Sequence, residues 1–248
     1  ANKGLEKITA LLDRKVEKGT LRSDRSDEIL GRIQVVDALK ALGTAGLVIE
    51  AIVEKLSPKQ QLFRELEQAC GQETILATNT SSISITEIGA GINSPERLVG
   101  MHFFNPPQVM KLVEIVSGLA TQRDVAEQVF ETAKAWGKHA VHARSTPGFI
   151  VNRVARPFYA EGLRLLQEQA AGVTDLDAIM RDTGGFRMGP FELMDLIGND
   201  VNYAVTSSVF EAYQYDSRFR PSLIQQELVA AGRLGRKSGR GFYEYGEA

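Results

Sequence analysis

Apolar positions recur along this chain in two rhythms, and the rhythm changes once. Leu5, Ile8, Leu11 and Leu12 fall at helical spacing from the outset, predicting a helix to about Lys18-Gly19 with no capping residue ahead of it. A polar stretch with Arg22, Asp24, Arg25 and Asp27 follows, and the short apolar run 33–36 predicts a strand. Strands and helices then alternate: a buried strand over 46–52, a helix over 57–70, a strand over 74–78, and a short helix over 84–90 opened by the capping box Ser84-Ile85-Thr86-Glu87. Two further apolar runs predict strands, one ending in His102 and one carrying Glu114. An amphipathic helix over 122–136 and a last strand over 139–143 complete the series. Continuous apolar strands separated by helices imply a parallel sheet covered on both faces, hence an α/β unit.

At Ser145-Thr146-Pro147-Gly148 the alternation stops, and from Phe149 onward the period is helical with Gly and Pro punctuation. The boundary is expected there, with residues 1–144 as one unit and 145–248 as an all-α unit of about a hundred residues, a size that folds independently. Val201, Val205, Val209, Phe210, Leu223, Ile224, Leu228 and Val229 exceed what one small core needs, so a homodimer through the helical unit is expected.

Composition narrows the function classes. Of 248 residues, 43% are hydrophobic and 24% charged, the balance of a folded globular protein. A net charge of -2 gives no electrostatic reason for binding nucleic acid or an anionic membrane. The single Cys70 cannot form an internal disulfide, which favours a reducing, cytoplasmic location and reads as a packed thiol. No apolar stretch approaches a membrane span, the start reads as mid-helix rather than as a targeting signal, and no metal is expected.

Two residues bring candidate chemistry. His102 ends the run Leu98-Val99-Gly100-Met101, and Glu114 interrupts Leu112-Val113-Glu114-Ile115-Val116. A carboxylate in a buried strand needs a charged or hydrogen-bonding partner, and one that orients a neutral imidazole makes a directed general base. The plain alternative is that Glu114 faces solvent and His102 is an ordinary strand-end histidine. Ligands of open α/β sheets bind beyond the carboxyl ends of the strands, where Glu54 and Lys59, Asn79-Thr80-Ser81-Ser82, and His102 with Asn105 converge. A solvated Glu54–Lys59 pair and serines that merely cap a helix are the competing readings. Asn152 stands in an otherwise apolar helix start, where a buried amide must find partners. The tail Gly235-Arg236-Lys237-Ser238-Gly239-Arg240-Gly241-Phe242-Tyr243 is basic and Gly-rich, a solvated turn or a phosphate contact.

Taken with Thr146-Pro147-Gly148-Phe149-Ile150-Val151-Asn152-Arg153, Met188-Gly189-Pro190-Phe191-Glu192-Leu193 and the tail, these segments resemble the 3-hydroxyacyl-CoA dehydrogenases in order and spacing over essentially the whole chain. Within that family the chain is most similar to the bacterial enzymes of phenylacetate degradation, which oxidise 3-hydroxyadipyl-CoA. The resemblance implies oxidation of a (3S)-3-hydroxyacyl-CoA to the 3-oxoacyl-CoA with hydride transfer to NAD. It implies a catalytic set of His102 as base, Glu114 as its partner, and Ser81 and Asn152 on the substrate oxygens, with Glu54, Lys59, Ser81 and Asn105 towards the nicotinamide end of NAD. A related group acting on free 3-hydroxyacids uses lysine instead, so the His-Glu pair counts against it. A non-catalytic binding or structural protein on the same fold is the reading from another class.

The chain departs from the family in one respect: no GxGxxG follows a strand near its start. The expected fold is therefore a truncated doubly wound, Rossmann-type parallel sheet lacking its first strand-helix-strand unit, in a fragment of a longer chain. With that unit gone, 33–36 should not pair with 46–52, and NAD should bind weakly or not at all.

Overall fold

The computed structural model describes residues 2–246; Ala1, Glu247 and Ala248 lie outside the described residues. Helices α1 (Asn2–Glu17) and α2 (Ser23–Gly31) precede a five-stranded sheet. The sheet is built from β1 (Leu47–Glu50), α3 (Leu56–Ala69), β2 (Ile75–Thr78), α4 (Ile85–Gly89), β3 (Leu98–Phe103), β4 (Leu112–Ser117), α5 (Arg123–Ala135) and β5 (His139–Arg144). The strands lie side by side in chain order. Side chains alternate across it with period two. Ile75, Ala77, Val99, Met101, Val113 and Ile115 pack on Val125, Ala126, Val129 and Ala133 of α5. Leu76, Leu98 and Val116 face the other way, onto Phe63 and Leu66 of α3 and Ile85 and Ile88 of α4. Gly100 permits that second layer, since a Cβ there would lie 2.8 Å from Val116 Cβ and 2.9 Å from Ile85 Cδ1.

Three expectations are corrected. The sheet is only mostly parallel: β4 runs antiparallel to β3, with His102 opposite Glu114, while β4 and β5 are parallel. The connection 104–111 holds no helix, and a parallel crossover needs about a dozen residues or more, so the chain can only turn back. Residues 33–36 form no strand. A strand exists through its ladder, and among the described residues none pairs with them; β1 hydrogen-bonds β2 alone and is an edge. The polar stretch after α1 is helical as α2, supported by Arg25–Glu28 and Arg32–Glu28 ion pairs along its face.

After β5 every named element is helical: α6 (Val151–Gln167), α7 (Val173–Asp182), α8 (Pro190–Ile197), α9 (Asn199–Ala212) and α10 (Leu223–Ala230). Tyr159, Leu163, Leu176, Phe191 and Met194 form their core. The Gly-rich tail is neither a free turn nor an open anion cradle. Its Phe242 and Tyr243 amides donate at 3.0 Å to the buried Asp195 carboxylate. Gly241 lies so close that a Cβ would meet Asp195 Oδ1 at 2.0 Å. Cys70 is half-buried against the α3 core, as a packed thiol should be, and burial pushes its pKa up.

Candidate active site

Three strand ends and one helix start build the site. The antiparallel turn between β3 and β4 makes His102 and Glu114 cross-strand partners, so their side chains lie side by side on one face. His102 Nδ1 stands 2.7 Å from Glu114 Oε2, and both residues are buried. The other carboxylate oxygen, Oε1, accepts the backbone N–H groups of Ile150 and Val151, each at 2.9 Å, where α6 begins. Burial alone would raise the Glu114 pKa. The hydrogen bonds from His102, Val151 and Ile150 outweigh it and hold the carboxyl below its ordinary value. An ionised carboxylate is an acceptor only, which makes Nδ1 the donor and leaves the Nε2 lone pair free on the neutral ring. Phe104 and Phe149 flank the ring at centroid distances of 4.6 and 5.7 Å.

A second cluster forms beyond β1 and β2. Lys59 on α3 is fully buried and bridges two carboxylates, Glu50 Oε1 at 2.7 Å and Glu54 Oε2 at 3.2 Å. Glu50 also accepts from Thr78 Oγ1 at 2.7 Å and Ile52 N at 2.5 Å. Glu54 Oε1 collects the loop after β2: Thr80 Oγ1 at 2.5 Å, Ser81 N at 2.9 Å and Ser82 N at 3.2 Å. Burial pushes the Glu54 pKa up, and the Thr80 hydroxyl, the Ser81 amide and Lys59 together bring it below the ordinary value. The solvated-pair reading of Glu54 and Lys59 therefore fails. Ser81 Oγ makes only a long 3.4 Å contact to Glu54 and can re-aim towards a ligand.

The remaining predicted residues are placed without being locked. Asn105 is exposed, just beyond the end of β3. Asn152 sits half-buried in the first turn of α6, one residue past the Val151 amide that holds Glu114. Among the described residues its carboxamide has no hydrogen-bond partner, and the residue is half-buried rather than buried as its apolar context predicts. Its carbonyl accepts from the buried Arg156 Nε at 3.0 Å. No hydrogen bond among the described residues joins Ser81 or Asn152 to His102. Sequence reasoning missed Glu50 and Thr78, and the Ile150 and Val151 amides, while Thr80 stood only among the polar run collected after the second strand. Glu50 carried a usable signal, since it interrupts the apolar run Leu47-Val48-Ile49-Glu50-Ala51-Ile52 just as Glu114 interrupts its own.

The chemistry of these donors fits the nicotinamide end of a dinucleotide. A fixed loop offers the Ser81 hydroxyl, Asn105 is free, and the polar groups gather at the carboxyl ends of parallel strands. The described residues include no Gly-rich strand-to-helix turn for a pyrophosphate.

The chain matches the sequence models of two family domains: "3-hydroxyacyl-CoA dehydrogenase, NAD binding domain" over residues 1–146 and "3-hydroxyacyl-CoA dehydrogenase, C-terminal domain" over residues 148–245. It is 54% identical over 243 residues to the 3-hydroxyadipyl-CoA dehydrogenase of Escherichia coli K12, covering 98% of this chain and 51% of that protein. It is 40% identical to a probable 3-hydroxybutyryl-CoA dehydrogenase of Bacillus subtilis, covering 100% of this chain and 86% of that protein. A crystal structure described as 3-hydroxybutyryl-CoA dehydrogenase from Escherichia coli K12 superposes with a TM-score of 0.96 at 53% identity, over 100% of this chain and 52% of that one. The chain thus spans about half the length of two of the three relatives.

Proposed function

This chain belongs to the 3-hydroxyacyl-CoA dehydrogenase family, and from that premise we propose that the protein oxidises (3S)-3-hydroxyacyl-CoA thioesters to 3-oxoacyl-CoA with NAD as hydride acceptor. The observation that carries the reading is the His102–Glu114 pair, in which both carboxylate oxygens are committed and the imidazole has one nitrogen left for a proton. His102 Nε2 takes the proton of the 3-hydroxyl, and Glu114 balances the imidazolium that results. Ser81 and Asn152 hold the hydroxyl and thioester oxygens so that the base addresses one carbon. Glu50, Lys59 and Glu54 fix the 80–82 loop, and with Asn105 they shape the place where the nicotinamide lies. NAD, when bound, supplies the acceptor for the hydride leaving C3. An NADH absorbance assay with acetoacetyl-CoA on the full-length protein tests this. Loss of NADH dependent on acetoacetyl-CoA supports it, and its absence favours a non-catalytic binding protein.

In this reading residues 1–144 form the dinucleotide-binding unit and 145–248 the substrate and dimerisation unit of a cytoplasmic protein. Among the described residues no helix is long and apolar enough to cross a membrane. Of the residues expected to exceed one core, Val209 is buried and Ile224 packs on the helical core around Tyr159 and Phe191, whereas Val201 and Leu223 are exposed. Together with exposed Ile179 and Ile197 they support a homodimer contact. Light scattering at micromolar concentration should give twice the protomer mass; a monomer would remove the dimer from the account.

A further inference from the structure

Arg156, on the second turn of α6, is a buried charged residue that the proposed chemistry does not use. Among the described residues no carboxylate pairs with it, and its guanidinium donates to neutral oxygens instead. Nε reaches the Asn152 carbonyl at 3.0 Å, and Nη1 reaches the Asn202 carbonyl at 3.1 Å and the Thr206 hydroxyl at 2.8 Å. The Tyr159 ring centroid lies 4.9 Å from its Cζ. One side chain thus ties the first turn of α6 to α9. A charge removed from water without a counter-charge is costly, and an apolar side chain of similar length would fill the space without that cost. The turn it holds is a weak one. Pro157 follows directly inside α6, has no N–H, and so leaves the Arg153 carbonyl without its helical donor. On the side of the dyad the turn is already secured, because Glu114 accepts the Ile150 and Val151 amides. Asn152 has no such anchor: its carboxamide has no hydrogen-bond partner among the described residues, so the backbone of its turn is what places it.

We propose that Arg156 is a positioning residue for Asn152: by holding the Asn152 carbonyl against α9, it splints the helical turn from which Pro157 removes a rung, and so keeps the Asn152 carboxamide aimed at the substrate oxygen. The inference rests on the dehydrogenase reading above and adds a residue outside the set that meets substrate or cofactor. A displacement of about 1 Å in a group that orients the reacting atoms can cost roughly 100-fold in rate, so a splint on one turn is enough to matter. Arg156→Met separates this role from a packing role. It keeps the length and apolar stem of the side chain and strands no acceptor. Thr206 Oγ1 still donates to the Asn202 carbonyl at 2.9 Å, and the Asn152 carbonyl keeps the backbone donor of its helix.

The test is a double-mutant cycle on the full-length protein, read as kcat and KM for acetoacetyl-CoA with NADH, together with hydrogen exchange by mass spectrometry. Arg156→Met should lower kcat roughly 10- to 100-fold while KM changes by less than about threefold. In an Asn152→Ala background the same substitution should lower kcat by less than about threefold, because the carboxamide that Arg156 places is gone. Arg156→Lys, which keeps a donor for these oxygens, should recover part of the loss. The first turn of α6 should exchange faster in Arg156→Met, while α8 keeps its rate. A melting curve checks folding, and if Arg156→Met failed to fold, Arg156→Lys would carry the cycle. An unchanged kcat, or an equal loss with and without the Asn152 side chain, would overturn the assignment and leave the dehydrogenase reading intact. If the wild type did not oxidise NADH with acetoacetyl-CoA, the dehydrogenase reading would fail. Exchange would then decide the splint: a faster rate confined to the first turn of α6 would support it, and an unaltered rate would overturn it.

Discussion

Glu114 in the sheet and Asp177 among the helices are buried carboxylates that do the same thing with opposite consequences. Each sits at the start of a helix it does not belong to: Glu114 accepts the Ile150 and Val151 amides of α6, and Asp177 accepts the Phe191 and Glu192 amides of α8 at 2.9 Å. They differ in the remaining partner. Glu114 meets the imidazole of His102, whereas Asp177 meets the hydroxyl of Tyr243 at 2.7 Å. The Glu114 pKa is held below its ordinary value, but burial pushes that of Asp177 up despite the Tyr243 hydroxyl and both amides. Asp195 resembles Asp177 in its partners, gathering Phe242 N, Tyr243 N, Tyr245 Oη and Asn199 Nδ2 with no ion-pair partner among the described residues. A carboxylate buried against amides and hydroxyls ties segments together. One buried against a titratable ring whose other nitrogen is free can also take part in proton transfer.

The comparison breaks most visibly at the base. His102→Gln should lower kcat by roughly 100- to 10,000-fold with little change in folding, the usual scale of general acid-base catalysis. Glu114→Gln should follow by a factor of about 100 or more. The two amide donors of α6 claim the carboxamide oxygen, so the amide nitrogen faces His102 Nδ1 and forces the proton onto Nε2, where no lone pair is left to act as base. Near-normal kcat in both variants would end the assignment. Asp177→Ala should show the reverse division. Leaving two amides and a buried hydroxyl unpaired should cost about 3 kcal/mol or more in urea unfolding, at roughly 1–3 kcal/mol per unsatisfied group. The kcat of the fraction that remains folded should be close to normal. A large kcat loss without destabilisation would place Asp177 in the chemistry and dissolve the distinction.

The smallest effect is in the pH dependence of stability. Glu114 is depressed in the folded state, so its contribution is present above its unfolded pKa and is lost as pH falls through the folded value. Asp177 is raised, so its contribution is present below its unfolded pKa and is lost as pH rises through the folded value. Between about pH 3 and pH 7, stability relative to Glu114→Gln should rise with pH, and stability relative to Asp177→Asn should fall. Urea melts on the three proteins check the two slopes, and slopes of the same sign would contradict the opposed shifts.

The dyad was legible because a carboxylate inside an apolar run is costly wherever it is read, and His102 was the nearest residue able to relieve it. The same rule applied to Glu50, but attention to residues after the strand, Glu54 and Lys59, passed over one within it. The antiparallel return of β4 could have been read from the short connection 104–111. Without it His102 and Glu114 would not be cross-strand neighbours. The amides of Ile150 and Val151 carry no side-chain signal, and so neither does the clasp that joins the dyad to α6. The run 33–36 shows the opposite failure, since its apolar character satisfies strand propensity while its ladder partner lies nowhere among the described residues. The basic tail misled by composition: its glycines and aromatics close over Asp195, and its charges merely decorate the outside.

The central claim is a tautomer, and it can be observed directly. The chain has three histidines, His102, His139 and His142, so the imidazole nitrogens of the labelled protein can be assigned by single substitutions and followed by nitrogen NMR. The account predicts that neutral His102 carries its proton on Nδ1 with a free Nε2, switching to the Nε2–H form in Glu114→Gln. An Nε2–H tautomer in the wild-type protein, or a tautomer that Glu114→Gln leaves unchanged, would contradict it.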